Sequence, residues 1–135
     1  MYNLGHLMTA AVVHYEVTGR TDLLEVGKKA AAYMVGLFDD LDEAVARTAI
    51  CPSHYMGLAQ LYEATGDRQY IELLEKLILL RDRVENGTDD NQERIPLKQH
   101  REILGHGVRA TYLYAGLTDL YMAAGDPDYR EVLEA

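Results

Sequence analysis

The chain has 135 residues, of which 48% are hydrophobic, and a formal net charge of -9 at pH 7. This length and composition are typical of one globular domain rather than of a disordered chain. The acidic balance argues against nucleic acid as a partner, because no basic stripe offsets it. No apolar run reaches the length of a membrane span and no leader pattern begins the chain, so we expect no membrane partner and, if the chain is complete, a cytoplasmic protein.

Cysteine usage narrows the possible chemistry further. Cys51 is the single cysteine. A single cysteine excludes both an internal disulfide and a zinc site built from several thiolates of this chain alone. We interpret Cys51 as an inert small residue, because only His54 stands at a spacing that could activate it.

The first two predicted helices form a hairpin. Few charges occur in Tyr2–Thr18, which predicts a buried helix, and Gly19 is placed for a left-handed C-cap. Thr21 or Asp22 is expected to cap a second helix, Asp22–Phe38. Its apolar residues recur every three or four positions opposite charged ones, which predicts an amphipathic helix.

The second hairpin follows the same order after a predicted loop at 39–50. Ser53 is expected to cap a weakly charged helix over Ser53–Thr65. Gly66 and Asp67 should end this helix and cap the next one, from Arg68 to about Val84. The second helix of the pair is again amphipathic.

A long polar connection, 85–101, precedes the third hairpin. A loop of this length is usually either disordered or functional. Residues Glu102–Gly125 are apolar nearly all the way round, which predicts one long core helix covered on most sides. Asp126 as N-cap and Pro127 at the first helical position predict a last helix that reaches Ala135.

The three hairpins are an internal repeat. A Tyr-x-x-(Thr/Ala)-Gly corner ends the first helix of each pair, at Gly19, Gly66 and Gly125. These glycines are too far apart and too unevenly spaced for a tetratricopeptide or ankyrin array. The predicted fold class is therefore all-α, with helical hairpins of an α/α toroid that make about half of a six-hairpin ring. Its open ends should leave apolar surface, so the chain is either part of a larger domain or a homo-oligomer.

Three histidines are the main candidates for a binding site. His6 and His54 lie near the N-terminal ends of their helices, and His106 lies further from its corner glycine. In a ring of parallel inner helices, the three imidazoles would converge at one mouth, beside the long loop. Neutral imidazole offers one donor and one acceptor, which suits sugar hydroxyls. The alternative is that each ring is buried and hydrogen-bonded by protein groups. We interpret His14 and His100 as structural or surface residues.

Other chemistries have weaker support. A three-histidine zinc site lacks a local His-x-x-x-His pair. Asp89, Asp90 and Glu93 are open to interpretation as a glycosidase carboxylate pair or as calcium ligands, although adjacent acids in a polar loop are usually only solvated. Three tyrosines can either stack on sugar rings or fill the core: Tyr55, Tyr112 and Tyr114.

Several motifs occur in the order of a known family. They are Leu4-Gly5-His6, Cys51-Pro52-Ser53-His54-Tyr55-Met56-Gly57, the loop from Gly87 to Pro96, and Gly105-His106-Gly107-Val108-Arg109-Ala110 followed by Tyr112-Leu113-Tyr114-Ala115-Gly116. Over essentially the whole chain they resemble the N-terminal part of the catalytic barrel of glycoside hydrolase family 127, the β-L-arabinofuranosidases.

The resemblance implies an (α/α)6 barrel followed by β-sandwich domains. It implies retaining hydrolysis of terminal β-L-arabinofuranosides, with a zinc-bound cysteine as nucleophile and a glutamate as acid/base. His6, His54 and His106 are similar to substrate-pocket residues of the family, so carbohydrate is the implied partner.

The same resemblance places the catalytic centre outside this chain. The family's nucleophilic cysteine and its zinc ligands, one glutamate and three cysteines, lie beyond residue 135, and Cys51 matches none of them. We therefore expect residues 1–135 to be a single all-α region of a larger catalytic barrel, with no catalytic residue, no metal ligand and no cofactor of its own. The alternative is a non-catalytic module that binds carbohydrate or self-associates.

Overall fold

The computed structural model describes residues 1–38 and 51–135, so the predicted loop at 39–50 lies outside the described residues. The described part contains six α-helices and one short 3₁₀ helix. They are α1 (Tyr2–Thr18), α2 (Asp22–Leu37), α3 (Ser53–Thr65), α4 (Gln69–Arg81), the 3₁₀ helix (Leu97–Gln99), α5 (Gly107–Ala124) and α6 (Pro127–Glu134). Within these ranges, no helix is both long and apolar enough to cross a membrane.

The three predicted corner glycines are confirmed. Gly19, Gly66 and Gly125 have φ angles of 70°, 72° and 73°, in the left-handed region that glycine adopts at little cost. The N–H of each glycine donates to the carbonyl of a tyrosine four residues earlier, which closes the last turn of the helix. Each inner helix therefore ends at a corner of the same construction.

The helices pack in two layers. An inner layer contains α1, α3 and α5, with α3 in the middle and in contact with both neighbours. In the outer layer, α2 packs on α1, α4 on α3 and α6 on α5. Large apolar side chains fill the space between the layers, among them Met8, Met34, Leu58, Leu61, Leu74, Leu113 and Leu117. The all-α class and the hairpin arrangement are as predicted.

Two glycines allow the inner helices to approach closely. A Cβ atom added at Gly5 would lie 2.4 Å from the backbone nitrogen of His54, and one at Gly116 would lie 2.4 Å from the Cβ of Tyr55. Neither contact is sterically possible, so both positions require the absence of a side chain. As a result, α1 and α5 both lie against the N-terminal part of α3.

Several helix ends differ from the prediction. Ser53 is not an N-cap; it is the first residue of α3, and its hydroxyl donates to the carbonyl of Tyr2 at 2.8 Å, which ties α3 to α1. Thr21 precedes α2 but makes no side-chain cap hydrogen bond. The cap predicted at Asp126 is confirmed, since its Oδ1 accepts from the N–H of Asp128 at 2.9 Å.

Two outer helices are shorter than predicted. The α2 helix ends at Leu37, one residue early, and α4 runs over Gln69–Arg81 rather than from Arg68 to Val84. The Oδ1 of Asp67 accepts from the N–H of Gln69 at 3.1 Å, but Arg68, not Asp67, is the residue directly before α4.

The largest correction concerns the start of α5. The helix was predicted from Glu102 but begins at Gly107. Gly105 has a φ of 74°, which is incompatible with a continuous right-handed helix, and it passes so close to the loop that an added Cβ would lie 1.7 Å from the carbonyl oxygen of Asp89. Ile103 extended the apolar pattern without being helical, and it is 75% exposed. His106 therefore precedes α5 instead of lying inside it.

The inner helices are not covered on all sides. Val17 of α1 is 79% exposed and Met122 of α5 is 74% exposed, and Val13 and Val108 are also exposed. The prediction that α5 is covered on most sides is therefore wrong, because Val108 and Met122 of this helix are exposed. Apolar residues occur on every face of α5, and the faces that no neighbouring helix covers leave apolar surface on the inner layer. Open apolar surface is what we expect of three hairpins from a larger ring.

Candidate sugar-binding site

His6 lies in an exposed aromatic cluster on α1. Its Nε2 is 3.1 Å from the hydroxyl of Tyr112, and its ring packs edge-on against Tyr2, with 4.6 Å between ring centroids. Tyr2 precedes His6 by one helical turn and so shares its face of α1. A hydrogen bond between the two tyrosine hydroxyls raises the pKa of Tyr112, which therefore remains a neutral phenol. One nitrogen of His6 is thus held in place while the ring stays accessible.

His54, the second residue of α3, is fully buried. Neither of its ring nitrogens has a hydrogen-bond partner among the described residues. Its ring packs edge-on against that of Tyr55, with 4.7 Å between centroids. Burial lowers the pKa of His54 to about 3, so its imidazole is neutral near pH 7. A buried polar group without a partner costs about 1–3 kcal/mol, and among the described histidines only His54 has both ring nitrogens buried and unpaired.

His106 is exposed and directly precedes α5. Its position is set by the backbone, because its N–H donates to the carbonyl of Asp90 at 3.3 Å. The side-chain amide of Gln92 donates to the carbonyl of Leu104 at 3.0 Å, two residues before His106. The loop at 89–92 therefore holds the segment that carries this histidine.

The structure places the three predicted histidines at the same end of the inner layer. Gly5, the neighbour of His6, packs against the backbone of His54, and Tyr112 reaches His6 from α5. His106 lies at the start of that same helix. This placement agrees with the arrangement expected for a ring of parallel inner helices. The role of the three side chains in binding a sugar stays a prediction.

A shallow recess of about 350 Å³ adjoins this cluster. It is lined by Met56, Val108, Thr111, Tyr112 and Ala115. Mostly apolar walls beside a phenol and an imidazole can cover the apolar face of a sugar ring and still bind its hydroxyls. The recess and the ring of His6, which Tyr112 joins, therefore offer both kinds of contact to one carbohydrate unit.

The other tyrosine and carboxylate candidates have structural contacts instead. Tyr55 is buried in the core, and burial raises its pKa to about 12. Tyr114 contacts the buried His100 rather than the recess. Asp89 accepts from Arg94 Nε at 2.6 Å, and the carboxylate of Asp90 is paired with Arg109. These ion pairs belong to the architecture of the loop.

The described residues do not form a zinc centre by themselves. Within 1–38 and 51–135, no three His, Cys, Asp or Glu side chains are grouped closely enough to hold a metal ion. Cys51 is a free thiol that is partly exposed. A zinc–thiolate centre requires several such ligands around one ion.

Comparison with known proteins identifies the family. The model of the catalytic domain of glycoside hydrolase family 127, described as β-L-arabinofuranosidase, matches residues 1–135. The chain belongs to glycoside hydrolase family 127. The resemblance inferred from the sequence motifs is therefore confirmed.

The individual family 127 relatives are much longer than this chain. A non-reducing end β-L-arabinofuranosidase from Bifidobacterium longum subsp. longum is 30% identical over 149 residues, which cover 93% of this chain and 22% of the relative. A solved glycoside hydrolase structure shares 47% identity with a TM-score of 0.93, covering 98% of this chain and 22% of the other. A solved GH127 β-arabinofuranosidase shares 27% identity with a TM-score of 0.78, covering 98% of this chain and 21% of the other. The portion of an α/α toroid predicted from the sequence is thus confirmed.

Two contributors to the site were missed by sequence reasoning. Tyr2 could have been found, because it lies four residues before His6 and helical neighbours share a face. Gln92 could not have been found from the sequence, because a glutamine in a polar loop is usually exposed. In the structure it is only 3% exposed.

Proposed function

We propose that residues 1–135 form part of the sugar pocket of a family 127 enzyme that hydrolyses β-L-arabinofuranosides. The substrate class is carried over from the relative in Bifidobacterium longum, a non-reducing end β-L-arabinofuranosidase. His6, His54 and His106 are the side chains that we propose to contact the sugar. No catalytic residue, metal ligand or cofactor is assigned to this chain.

The unpaired imidazole of His54 carries the proposal. It is completely buried, neutral and without a hydrogen-bond partner among the described residues, next to the Gly5 contact that joins α1 and α3. A bound hydroxyl would supply the missing partner, because neutral imidazole has both a donor and an acceptor. The stabilisation normally given by a protein partner would then be provided by the ligand.

His6 and His106 fit the proposal for a different reason. Both rings are exposed at the same end of the inner layer, and each is held by a contact that leaves the imidazole accessible. Furanose hydroxyls point in several directions from a small ring. Two imidazoles on adjacent helices and a third from the segment before α5 can contact such a ring from different sides.

Sugar titration of the purified protein tests the proposal. We expect methyl β-L-arabinofuranoside to bind with a Kd on the order of millimolar, as is usual for one small polar ligand. The variant His54→Leu should bind at least about tenfold more weakly, because it removes one buried hydrogen-bonding group. His14→Leu, on the same inner layer but two helical turns beyond His6, is the matched control and should bind like the wild type.

The pyranose isomer provides the specificity control. Methyl β-L-arabinopyranoside should bind more weakly than the furanoside. The proposal fails if the furanoside does not bind, or if His54→Leu and His14→Leu change its affinity equally.

Catalysis is expected to be absent from the isolated chain. We expect no hydrolysis of an aryl β-L-arabinofuranoside, because the described residues contain no grouped zinc ligands. Turnover that disappears in a His54→Ala variant would overturn this expectation.

A second candidate function is self-association of a non-catalytic module. The observation that favours it is the exposure of apolar side chains on the inner layer, with Val17 and Met122 more than two-thirds open. Exposed apolar patches of this kind commonly mark interaction surfaces. Sedimentation analysis should then show a homo-oligomer that Val17→Glu and Met122→Glu dissociate; a wild-type monomer would exclude this function.

A further inference from the structure

Gln92 is the most unusual residue of the loop between α4 and α5. It is only 3% exposed, although Asp89, Asp90 and Arg94 around it are exposed. Its φ angle is 57°, in the left-handed region that residues other than glycine seldom adopt. A buried polar side chain on an unfavourable backbone conformation requires strong local contacts to hold it.

The side-chain amide of Gln92 supplies those contacts. Its Nε2 lies 3.0 Å from the carbonyl oxygen of Leu104, 3.1 Å from that of Asp90 and 3.4 Å from that of Asp89. All three neighbours are acceptors, so only the NH₂ end of the amide can face them. One side chain therefore joins two consecutive loop carbonyls to the segment that leads into α5.

The same peptide units fix His106. Its N–H donates to the carbonyl of Asp90, which is one of the three that Gln92 binds. Arg109, in the first turn of α5, binds the carboxylate of Asp90 and donates to Asn91 Oδ1 at 2.5 Å. Residues of the loop therefore hold both ends of the segment Leu104–His106: Gln92 binds the carbonyl of Leu104, and the carbonyl of Asp90 binds the N–H of His106.

We infer that Gln92 is a positioning residue that sets the place of the His106 imidazole in the sugar pocket. This inference rests on the proposed function, in which His106 contacts the sugar. His6 and His54 take their positions from helix packing at Gly5, whereas His106 takes its position from the amide of a loop residue. The third side of the pocket is thus built by side-chain hydrogen bonds rather than by a helix.

The substitution Gln92→Glu tests this inference with almost no change of shape. A carboxylate cannot donate to the three carbonyls and would repel them. In the sugar-free protein, we expect the ring signals of His106 to move in the NMR spectrum while those of His6 and His54 keep their positions. Affinity for methyl β-L-arabinofuranoside should fall about tenfold, the equivalent of one lost hydrogen bond to the sugar. Gln99→Glu, the same change at an exposed residue of the 3₁₀ helix, should leave both readouts unchanged.

A second variant covers the case in which Gln92→Glu fails to fold. Gln92→Met has a similar length and no charge, removes the same donors, and should give the same displacement of the His106 signals. Unchanged His106 signals in a folded variant would overturn the inference, and so would equal displacement of all three histidines. If the wild type binds no sugar, the proposed function fails, while the sugar-free spectra still decide whether Gln92 positions His106.

Discussion

His54 and His100 are both buried histidines, but their surroundings differ in kind. His100 is 1% exposed, with its Nδ1 2.8 Å from the hydroxyl of Tyr114 and its Nε2 3.1 Å from the carbonyl of Ile95. His54 is 0% exposed and has no hydrogen-bond partner among the described residues. Burial lowers the pKa of both imidazoles, so both are neutral at pH 7. His100 is a cross-link between the loop and α5, whereas no described residue offsets the burial of His54 with a hydrogen bond.

The contrast shows that burial alone does not separate structural from functional histidines. Both residues would be classed as core by their exposure. The hydrogen-bond inventory separates them, because a protein rarely leaves both nitrogens of a buried imidazole unpaired without a ligand or another partner. Three predictions test this distinction.

Replacing each buried histidine by leucine should change stability very differently. His100→Leu leaves the Tyr114 hydroxyl and the Ile95 carbonyl without their partner, so we expect a loss of about 3 kcal/mol in the free energy of unfolding. His54→Leu breaks no hydrogen bond with the described residues and removes the cost of about 1–3 kcal/mol of an unpaired buried polar group, so the free energy of unfolding should stay the same or rise. Urea denaturation measures both. Equal losses in the two variants would remove the distinction.

Acid should destabilise the protein through His54. Its pKa is about 3 in the folded state and 6.5 in the unfolded chain, so the unfolded state takes up the proton first as the pH falls. The free energy of unfolding is unaffected by this group above pH 6.5 and decreases below it. Between pH 7.5 and pH 5 the expected loss is about 2 kcal/mol.

The control for the pH prediction is His54→Leu, measured by denaturation at each pH. It should lose this component and keep the dependence that comes from His100, whose pKa is also lowered by burial. If both proteins lose stability in parallel over this range, His54 is already protonated or solvent-accessible in the folded state.

Each of two tyrosines of α5 contacts a histidine, and removing the tyrosine hydroxyl should cost more stability at the buried pair than at the exposed pair. Tyr114→Phe leaves a buried nitrogen of His100 unpaired, with an expected cost of about 1–2 kcal/mol. Tyr112→Phe removes an exposed contact with His6, and the expected cost is below about 0.5 kcal/mol. Thermal unfolding compares them, and a larger loss in Tyr112→Phe would contradict the assignment of His100 as the structural member.

The fold was predictable because local sequence signals mark where the helices of each hairpin end. Glycine at 19, 66 and 125 must be left-handed, and the helices on either side differ in amphipathicity. The family was predictable because several motifs stand in the same order along the whole chain. Helix periodicity also placed His6 and His54 correctly at the N-terminal ends of α1 and α3.

The start of α5 and the loop before it were not predictable in the same way. Apolar Ile103 and Leu104 continued the helical pattern, but the long-range contacts of Gly105 with Asp89 and of Gln92 with Leu104 determine the backbone there. No local signal encodes contacts between residues that far apart. For the same reason, sequence alone could not tell His100, which is hydrogen-bonded, from His54, which has no partner among the described residues.

In the proposed complex, a sugar hydroxyl is the hydrogen-bond partner of His54. The most direct measurement is the ¹⁵N NMR spectrum of the histidine rings during titration with methyl β-L-arabinofuranoside. We predict that the ring-nitrogen signals of His54 shift progressively to saturation while those of His100 stay fixed. Saturation of the protein with sugar while the His54 signals do not move would contradict a hydrogen bond between His54 and the sugar.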